Sequence, residues 1–394
     1  MTGVSGAAGR AAARGLLGRL SETRPLTPEW EAAFHGVPRH AFLPDTVWLG
    51  DELTPCDRAR EPETWLRAAY ADAPVVTQVN DGEEPGPEGE RWPSSSASAP
   101  GVVFRMLDML GLEGGERVVE VGTGTGWNTG LLAHRLGSSL VTSVEVDEGL
   151  AARARGALAS VGVEPRGVTG DGSVVVTDGV DRLLATCAVR RVPERWLSAV
   201  APGGVVLTPW ESPWLCFGLL RLTVRGDGSA DGRFHPHAAF MLMRGQRTDL
   251  RIFRDVVRDG HVPEESATRL APWNVTGEHW AARFAVGLQL PDVWCVWQHD
   301  PGVPGVRSRL WVATTDATSW AAVDDAGAAA GPAGSAFTVW EHGSRRLWRE
   351  VESAHRWWRE AGGPGPGDFG MTVTPDGRHT AWLGRPGRRV PRAA

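Results

Sequence analysis

The stretch "VVEVGTGTGWNTGLLA", residues 118–133, decides how the chain folds. It opens as a β-branched buried strand and closes as a helix that runs on to Gly137. Between them Gly122, Gly124 and Gly126 allow the backbone to turn and to approach a ligand, at a helix N-terminus whose free N–H groups face it. Two nucleotide loops compete for this pattern. The dinucleotide fingerprint G-x-G-x-x-G needs a third glycine three residues after the second. Counted from Gly122 and Gly124 that position is Trp127; counted from Gly124 and Gly126 it is Thr129. The fingerprint fails. What remains is G-x-G-x-G with an acid, Glu120, two residues before the first glycine.

Strand and helix keep alternating on both sides of this loop. "GVVFRMLDMLGL" (101–112) has helical spacing and ends at glycine, "SLVTSVEVD" (139–147) is a second strand, "EGLAARARGALASVG" a second helix, and "VEPRGVTGDG" (163–172) a third strand with its loop. Such alternation predicts an α/β fold, a parallel sheet with helices on both faces. In such sheets ligands sit at the carboxyl ends of the strands. Glu145 ends the second strand, where a carboxylate can accept both hydroxyls of a ribose. Asp171, with Gly172, follows the third, within reach of an adenine amine. Further on, "CFGLLRLTV" and "AAFMLMRGQ" flank "RGDGSADGRFHPH" and predict an antiparallel edge hairpin with a loose loop.

Outside this sheet the periodicity is weaker. The Ala/Gly/Arg-rich start predicts a loose N-terminus leading into short helices over 14–35, broken by Pro25 and Pro28. "PVVTQV" (74–79) is extended, and "NDGEEPGPEGERWP" (80–93) is a solvated loop. Beyond about residue 247, "ARFAVGLQL", "VWCVWQHD", "RLWVATTD" and "FTVWEHG" predict short strands. One helix follows, with Leu347, Val351, Ala354 and Trp358 on one face, and "FGMTVTPDGRHTAWL" closes a hairpin. The expected organisation is helices and substrate-side loops over 1–100, a cofactor-binding domain over 101–246 and a smaller α+β domain over 247–394.

Composition narrows the function. The net charge is −6, every basic side chain is arginine, and no basic block is present, which argues against a nucleic-acid partner. No stretch reaches the roughly 18 uninterrupted apolar residues of a membrane span, and the start lacks a continuous apolar core for a signal peptide. A cytoplasmic protein without a membrane partner is expected. Cys56, Cys187, Cys216 and Cys295 form no C-x-x-C pair, and "HPH" (235–237) lacks a third ligand, so no metal and no disulfide framework is expected. Nineteen tryptophans stand against one tyrosine, crowded toward the C-terminal third as core or interface.

The G-x-G-x-G loop after Glu120 resembles that of class I methyltransferases using S-adenosylmethionine. "VPRHAFLP" (37–44), "AYADAPV" (69–75), "SSSASAP" (94–100) and "VVEVGTGTGW" (118–127) resemble, in content and order, the motifs of protein L-isoaspartyl O-methyltransferases, over roughly residues 28 to 246. The resemblance implies a Rossmann-like methyltransferase sheet and S-adenosyl-L-methionine as cofactor, with S-adenosyl-L-homocysteine as product. It implies a cofactor site of Glu120, Gly122, Thr123, Gly124, Gly126, Glu145, Asp171 and Gly172, and an acceptor carboxylate held by Ser98, with Ser96 on the threonine before it. Ser94 and Ser95 read as solvated linker. Two departures stand out: the insertion ending in "ERWP", expected over the substrate entrance, and the chain that continues past the edge hairpin. Long members of the family resemble the enzymes of lanthipeptide, graspetide and lasso peptide pathways. These esterify an aspartate in a macrocyclised ribosomal peptide, leading to aspartimide and isoaspartate, so the partner is expected to be a modified precursor peptide. The alternative is an isoaspartyl repair enzyme with an accessory domain.

Overall fold

The computed structural model describes residues 6–83, 89, 91–214, 216–236, 239–277, 279–326 and 336–393. The chain forms two compact units. The first comprises Met1–Cys187, Val192–Thr208 and Arg221–Ala230, the second Ala188–Arg191, Pro209–Leu220 and Asp231–Ala394.

In the first unit, helix α1 spans Gly6–Thr23 and buries a stripe of Gly9, Leu16 and Leu20. The loose start expected here is therefore helical from Gly6, since alanine-rich sequence has the strongest intrinsic helix preference. α2 (Pro28–Gly36) follows, then strands β1 (Thr46–Leu49) and β2 (Thr54–Asp57), α3 (Pro62–Ala69), β3 (Val75–Val79) and β4 (Pro93–Ala97). The strands form a small sheet in the order β2-β1-β3-β4. β4 is a correction: "PSSSA" was expected to be solvated linker at its start, yet Ser94 and Ser95 are only 8% and 5% exposed. Antiparallel pairing with β3, through a bulge at Gln78, overrides serine's weak strand preference.

α4 (Pro100–Leu110) starts on proline and stops at Gly111, whose φ of +65° closes the helix. The alternating core then runs β5 (Val118–Val121), α5 (Trp127–Leu136), β6 (Val141–Glu145), α6 (Glu148–Ser160), β7 (Arg166–Thr169), β8 (Val180–Ala185), α7 (Glu194–Ala199), β9 (Val200–Glu211) and β10 (Phe217–Val224). The strand order is β7-β6-β5-β8-β9-β10. β5 pairs in parallel with β6 and β8, and each of its residues is buried. The chain winds outward from β5 through β6 and β7, then returns to β8 on the other side. That reversal puts the crevice of a doubly wound sheet at the carboxyl end of β5. The architecture is that of a class I methyltransferase sheet with an added β-rich part.

The hairpin partner of β10 is β11 (Ala230–His235), not "AAFMLMRGQ". Of that stretch, Leu242 makes only an isolated bridge to Ala188. In the second unit, β12 (Glu264–Thr268), α8 (Trp273–Thr276), α9 (Trp280–Gln289), β13 (Val293–His299), β14 (Ser308–Thr314), β15 (Trp320–Asp325), β16 (Phe337–His342) and α10 (Leu347–Glu360) follow, then the hairpin β17 (Phe369–Val373) and β18 (His379–Leu383). An antiparallel sheet in the order β12-β16-β15-β14-β13 divides its residues by period two. Leu310 and Val312 pack with Val286, Leu347, Trp348 and Val351, while Trp311 and Ala313 pack with Ile252, Val256 and Trp320. Several of the tryptophans thus fill core. "ARFAVGLQL", expected as a strand, lies in helix α9. Phe284 to Gln289 are all buried, so no amphipathic period betrays the helix, and a short apolar run cannot be assigned by pattern alone.

Candidate active site

Gly122, Gly124 and Gly126 have φ of +97°, +55° and +90°, a region where a Cβ is strained. A Cβ on Gly122 would also stand 2.6 Å from Thr186 Oγ1. The loop is pinned from β6: the N–H groups of Gly122 and Thr123 donate to the Val144 carbonyl at 2.8 and 3.2 Å. Thr123 and Ser143 share a hydroxyl hydrogen bond of 2.6 Å. Gly126 then opens α5.

The acids take different places around this loop. Glu145 accepts from the Gly124 N–H at 2.8 Å and from the Asp147 N–H at 3.1 Å. Its carboxylate thus meets the middle of the loop from the rim. Glu120 is fully buried beneath it and accepts from Asn128 Nδ2 and Ser143 Oγ, each at 2.6 Å, and from Thr129 Oγ1. Burial raises the Glu120 pKa, although its three donors oppose the shift. Fully buried and held by three side-chain donors, Glu120 joins β5, β6 and the start of α5 as a strut. Asp171 is exposed, and its Oδ1 accepts from the Ser173 N–H at 2.8 Å. Gly172 is buried because a Cβ there would stand 2.4 Å from Val121 Cγ1, and its carbonyl accepts from Trp196 Nε1 at 2.7 Å.

Beside each rim acid sits apolar surface that the sequence reading missed. Val146 follows Glu145 and is 45% exposed; Val174, just past Asp171 and Gly172, is 64% exposed. Exposed valines next to acids at two strand ends are the available signal, and they suit the face of a flat ring.

The serine strand meets the glycine loop. A Cβ on Gly124 would lie 3.8 Å from Ser95 Oγ and 3.9 Å from the Ser96 carbonyl. Ser94 donates to Gln78 Oε1 at 2.9 Å, and Gln78 Nε2 donates to Asp147 Oδ2 at 3.1 Å, linking the strand to the turn after Glu145. Asp147 also caps α6 by accepting from the Leu150 N–H at 2.9 Å. Ser94→Ala is expected to cost about 0.5–1.5 kcal/mol in denaturant unfolding. No change would return Ser94 to the solvated class.

Ser96 and Ser98 are half-buried, and the Ser98 hydroxyl makes no hydrogen bond among the described residues. What fixes Ser98 is Arg39, from the "VPRHAFLP" motif. This guanidinium is 1% exposed and donates to the carbonyls of Ala69 at 2.5 Å, and of Ala97 and Ser98 at 3.0 Å each. Its Nε is buried without a partner. Burial pushes its pKa down to about 10, against the pull of Tyr70 and Asp72. Asp72 in turn accepts from the Gly101 N–H at 2.7 Å, at the start of α4. His40 pairs with the Tyr70 hydroxyl at 2.6 Å, a packing role.

No three His, Cys, Asp or Glu side chains gather as metal ligands among the described residues. His237 of "HPH" and positions 84–88 and 90 of the 80–93 insertion lie outside the described residues. Among those described, no helix is long and apolar enough to cross a membrane.

Residues 51–241 match the family model for protein-L-isoaspartate(D-aspartate) O-methyltransferase. The protein-L-isoaspartate O-methyltransferase of Anaeromyxobacter dehalogenans (strain 2CP-C) is 40% identical over 179 residues, covering 41% of this chain and 77% of that protein. Its namesake from Pyrococcus horikoshii is 29% identical over 219 residues, covering 55% and 84%. A solved structure of a protein-L-isoaspartate O-methyltransferase superposes with a TM-score of 0.55 at 18% identity, covering 95% of this chain and all of the other. That likeness is one of fold. It extends well past the edge hairpin.

Proposed function

Because this chain belongs to the protein-L-isoaspartate O-methyltransferase family, we propose that it methylates the carboxylate of an L-isoaspartyl residue in a peptide or protein. The observation that carries this reading is the approach of Gly124 to Ser95 and Ser96, which brings the donor loop against the strand leading to Ser98. The residues fit S-adenosylmethionine: three glycines at positive φ that keep the loop free of side chains, a carboxylate at Glu145 against the middle of that loop, and exposed valines beside Glu145 and Asp171. Bound there, it would supply a sulfonium methyl whose carbon bonds to an oxygen of the ionised carboxylate as the carbon–sulfur bond breaks, giving a methyl ester and S-adenosylhomocysteine.

The chain's own residues then have little proton chemistry to perform. A substrate carboxylate with a pKa of about 4 is ionised at neutral pH, so no general base is needed. Glu145 accepts from the ribose, Asp171 from the adenine amine, and Glu120 holds the loop rigid from beneath. Gly122, Thr123, Gly124 and Gly126 give the backbone its close approach, and Gly172 seats the Asp171 turn on β5. Ser98 donates to the acceptor carboxylate while Arg39 fixes its backbone; Ser96 lines the approach. Orientation of this kind can lower a barrier by about 7–11 kcal/mol in favourable cases.

Ser98→Ala is expected to lower kcat/KM about 10- to 100-fold, the loss of one hydrogen bond to a charged group. S-adenosylhomocysteine affinity should stay within about twofold; equal loss of both contradicts the role. A second reading is esterification of a normal aspartate in a macrocyclised ribosomal peptide. One feature favours it: the insertion leaves at Asn80 and rejoins at Trp92, each bonded to the other, next to the serine strand, and Trp92 is 43% exposed. Methanol release from an isoaspartyl peptide, its aspartyl twin and a cyclic aspartyl peptide, assayed side by side, tests both. Turnover of the isoaspartyl peptide alone is the expected result; turnover of the cyclic aspartyl peptide alone transfers the assignment.

A further inference from the structure

The second unit holds a cleft of about 420 Å³ within its helical layer. That volume lies in the range of roughly 300–1,000 Å³ typical of ligand sites. His355, Trp358 and Arg359 line it from the last turns of α10, at a spacing that puts them on one face. Asn274 contributes from α8 and His279 from the N-cap of α9, while Gly362 and Gly363 leave the backbone bare at one edge. No carboxylate lines the cleft among the described residues.

One guanidinium, two imidazoles and an amide thus gather around a single cavity in a chain of net charge −6. A guanidinium is a permanent cation at physiological pH. Burial, with Arg359 and His279 close by, lowers the His355 pKa. α9 has no acid in its first turn and takes no side-chain cap from His279, and the amino end of a helix carries partial positive charge. The carboxyl end of α10 works the other way, and one cation near it would serve as ordinary helix-end compensation. The guanidinium alone would meet that need; the imidazoles of His279 and His355 and the amide of Asn274 add hydrogen-bonding groups around the same cavity. Trp358 spends its indole N–H on the Pro364 carbonyl at 3.0 Å, leaving its ring face as an apolar wall.

We propose that this cleft binds a carboxylate-bearing segment of the peptide or protein substrate, remote in sequence from the residue that is methylated. The identity of the occupant rests on the methyltransferase reading; the anion site does not.

The test uses the full chain and a fluorescein-labelled hexaglutamate peptide, with hexaglutamine as its neutral twin. Hexaglutamate binds and hexaglutamine does not. Arg359→Gln combined with His355→Gln weakens hexaglutamate binding about tenfold or more, the worth of one hydrogen bond to a charged group. Arg356→Gln, an exposed arginine of the same helix outside the cleft, leaves it within about twofold. Equal binding of the two peptides, or equal loss on Arg356→Gln, overturns the proposal. Inorganic phosphate binding as tightly as hexaglutamate overturns the peptide assignment. Melting curves check that the double variant is folded. S-adenosylhomocysteine binding and methylation of a short isoaspartyl peptide without other acids should be unchanged in it. Failure of those two in the unmodified chain would instead strike the methyltransferase reading.

Discussion

Glu145→Ala is expected to weaken S-adenosylhomocysteine binding by a factor of about 10² to 10⁴. In the proposed site two ribose hydroxyls would lose a charged acceptor, at about 1.5–3 kcal/mol each, and 1.4 kcal/mol is about tenfold in affinity. The structure adds a second loss, because the same carboxylate accepts from the Gly124 N–H at 2.8 Å and the Asp147 N–H at 3.1 Å. Without it the middle glycine of the loop has no anchor on that side. Glu145→Gln separates the two roles: it keeps a carbonyl for the Gly124 N–H and loses the charge. Its affinity should fall between those of the native chain and the alanine variant. Isothermal titration with S-adenosylhomocysteine, alongside a melting curve, checks both. Native affinity in Glu145→Ala would remove the acid from the site.

Arg39→Met should cost about 2–4 kcal/mol in stability and lower kcat about a hundredfold or more, with S-adenosylhomocysteine affinity nearly unchanged. The stability loss follows from buried carbonyls of Ala69, Ala97 and Ser98 left without their donor, at about 1–3 kcal/mol for each unsatisfied group. The gain from removing a desolvated cation offsets part of it. The kinetic loss follows from the Ser98 backbone, which loses its tie while the glycine loop keeps its own bonds to β6. Arg39→Lys should regain some stability but little kcat, since an ammonium lacks the planar fork that reaches separate carbonyls. A fall in stability with native kcat would reduce Arg39 to a packing role. Steady-state kinetics at saturating donor makes the distinction.

Much of this was legible in the sequence, for physical reasons that differ by element. The Gly122–Gly126 turn is local: positive φ at three glycines and a strand-to-helix switch are written within a short window, and neighbouring strand ends carry Glu145 and Asp171. The serine strand is not local. Ser94 and Ser95 become buried only because β3 supplies an acceptor in Gln78 and a donor in Thr77, and serine next to serine reads as linker. Arg39 escaped attention because arginine is almost never fully buried without a charged partner, and nothing in "VPRHAF" marks this one as satisfied by carbonyls. Glu120 looks the same in sequence whether it meets a ligand or braces a loop; only Asn128, Thr129 and Ser143 around it decide for bracing. In α9 the missing cue is an exposed face. Gly287 sits there because a Cβ would come 2.4 Å from Cys216 Sγ, a long-range constraint invisible along the chain.

The most direct test of the methyl-donor site is calorimetric titration of the purified full chain with S-adenosylhomocysteine. The site described here predicts a saturable heat with one molecule bound per chain, strongly weakened by Glu145→Ala and left intact by Ser98→Ala. Absence of any heat from the folded native chain, or binding indifferent to Glu145, would contradict it.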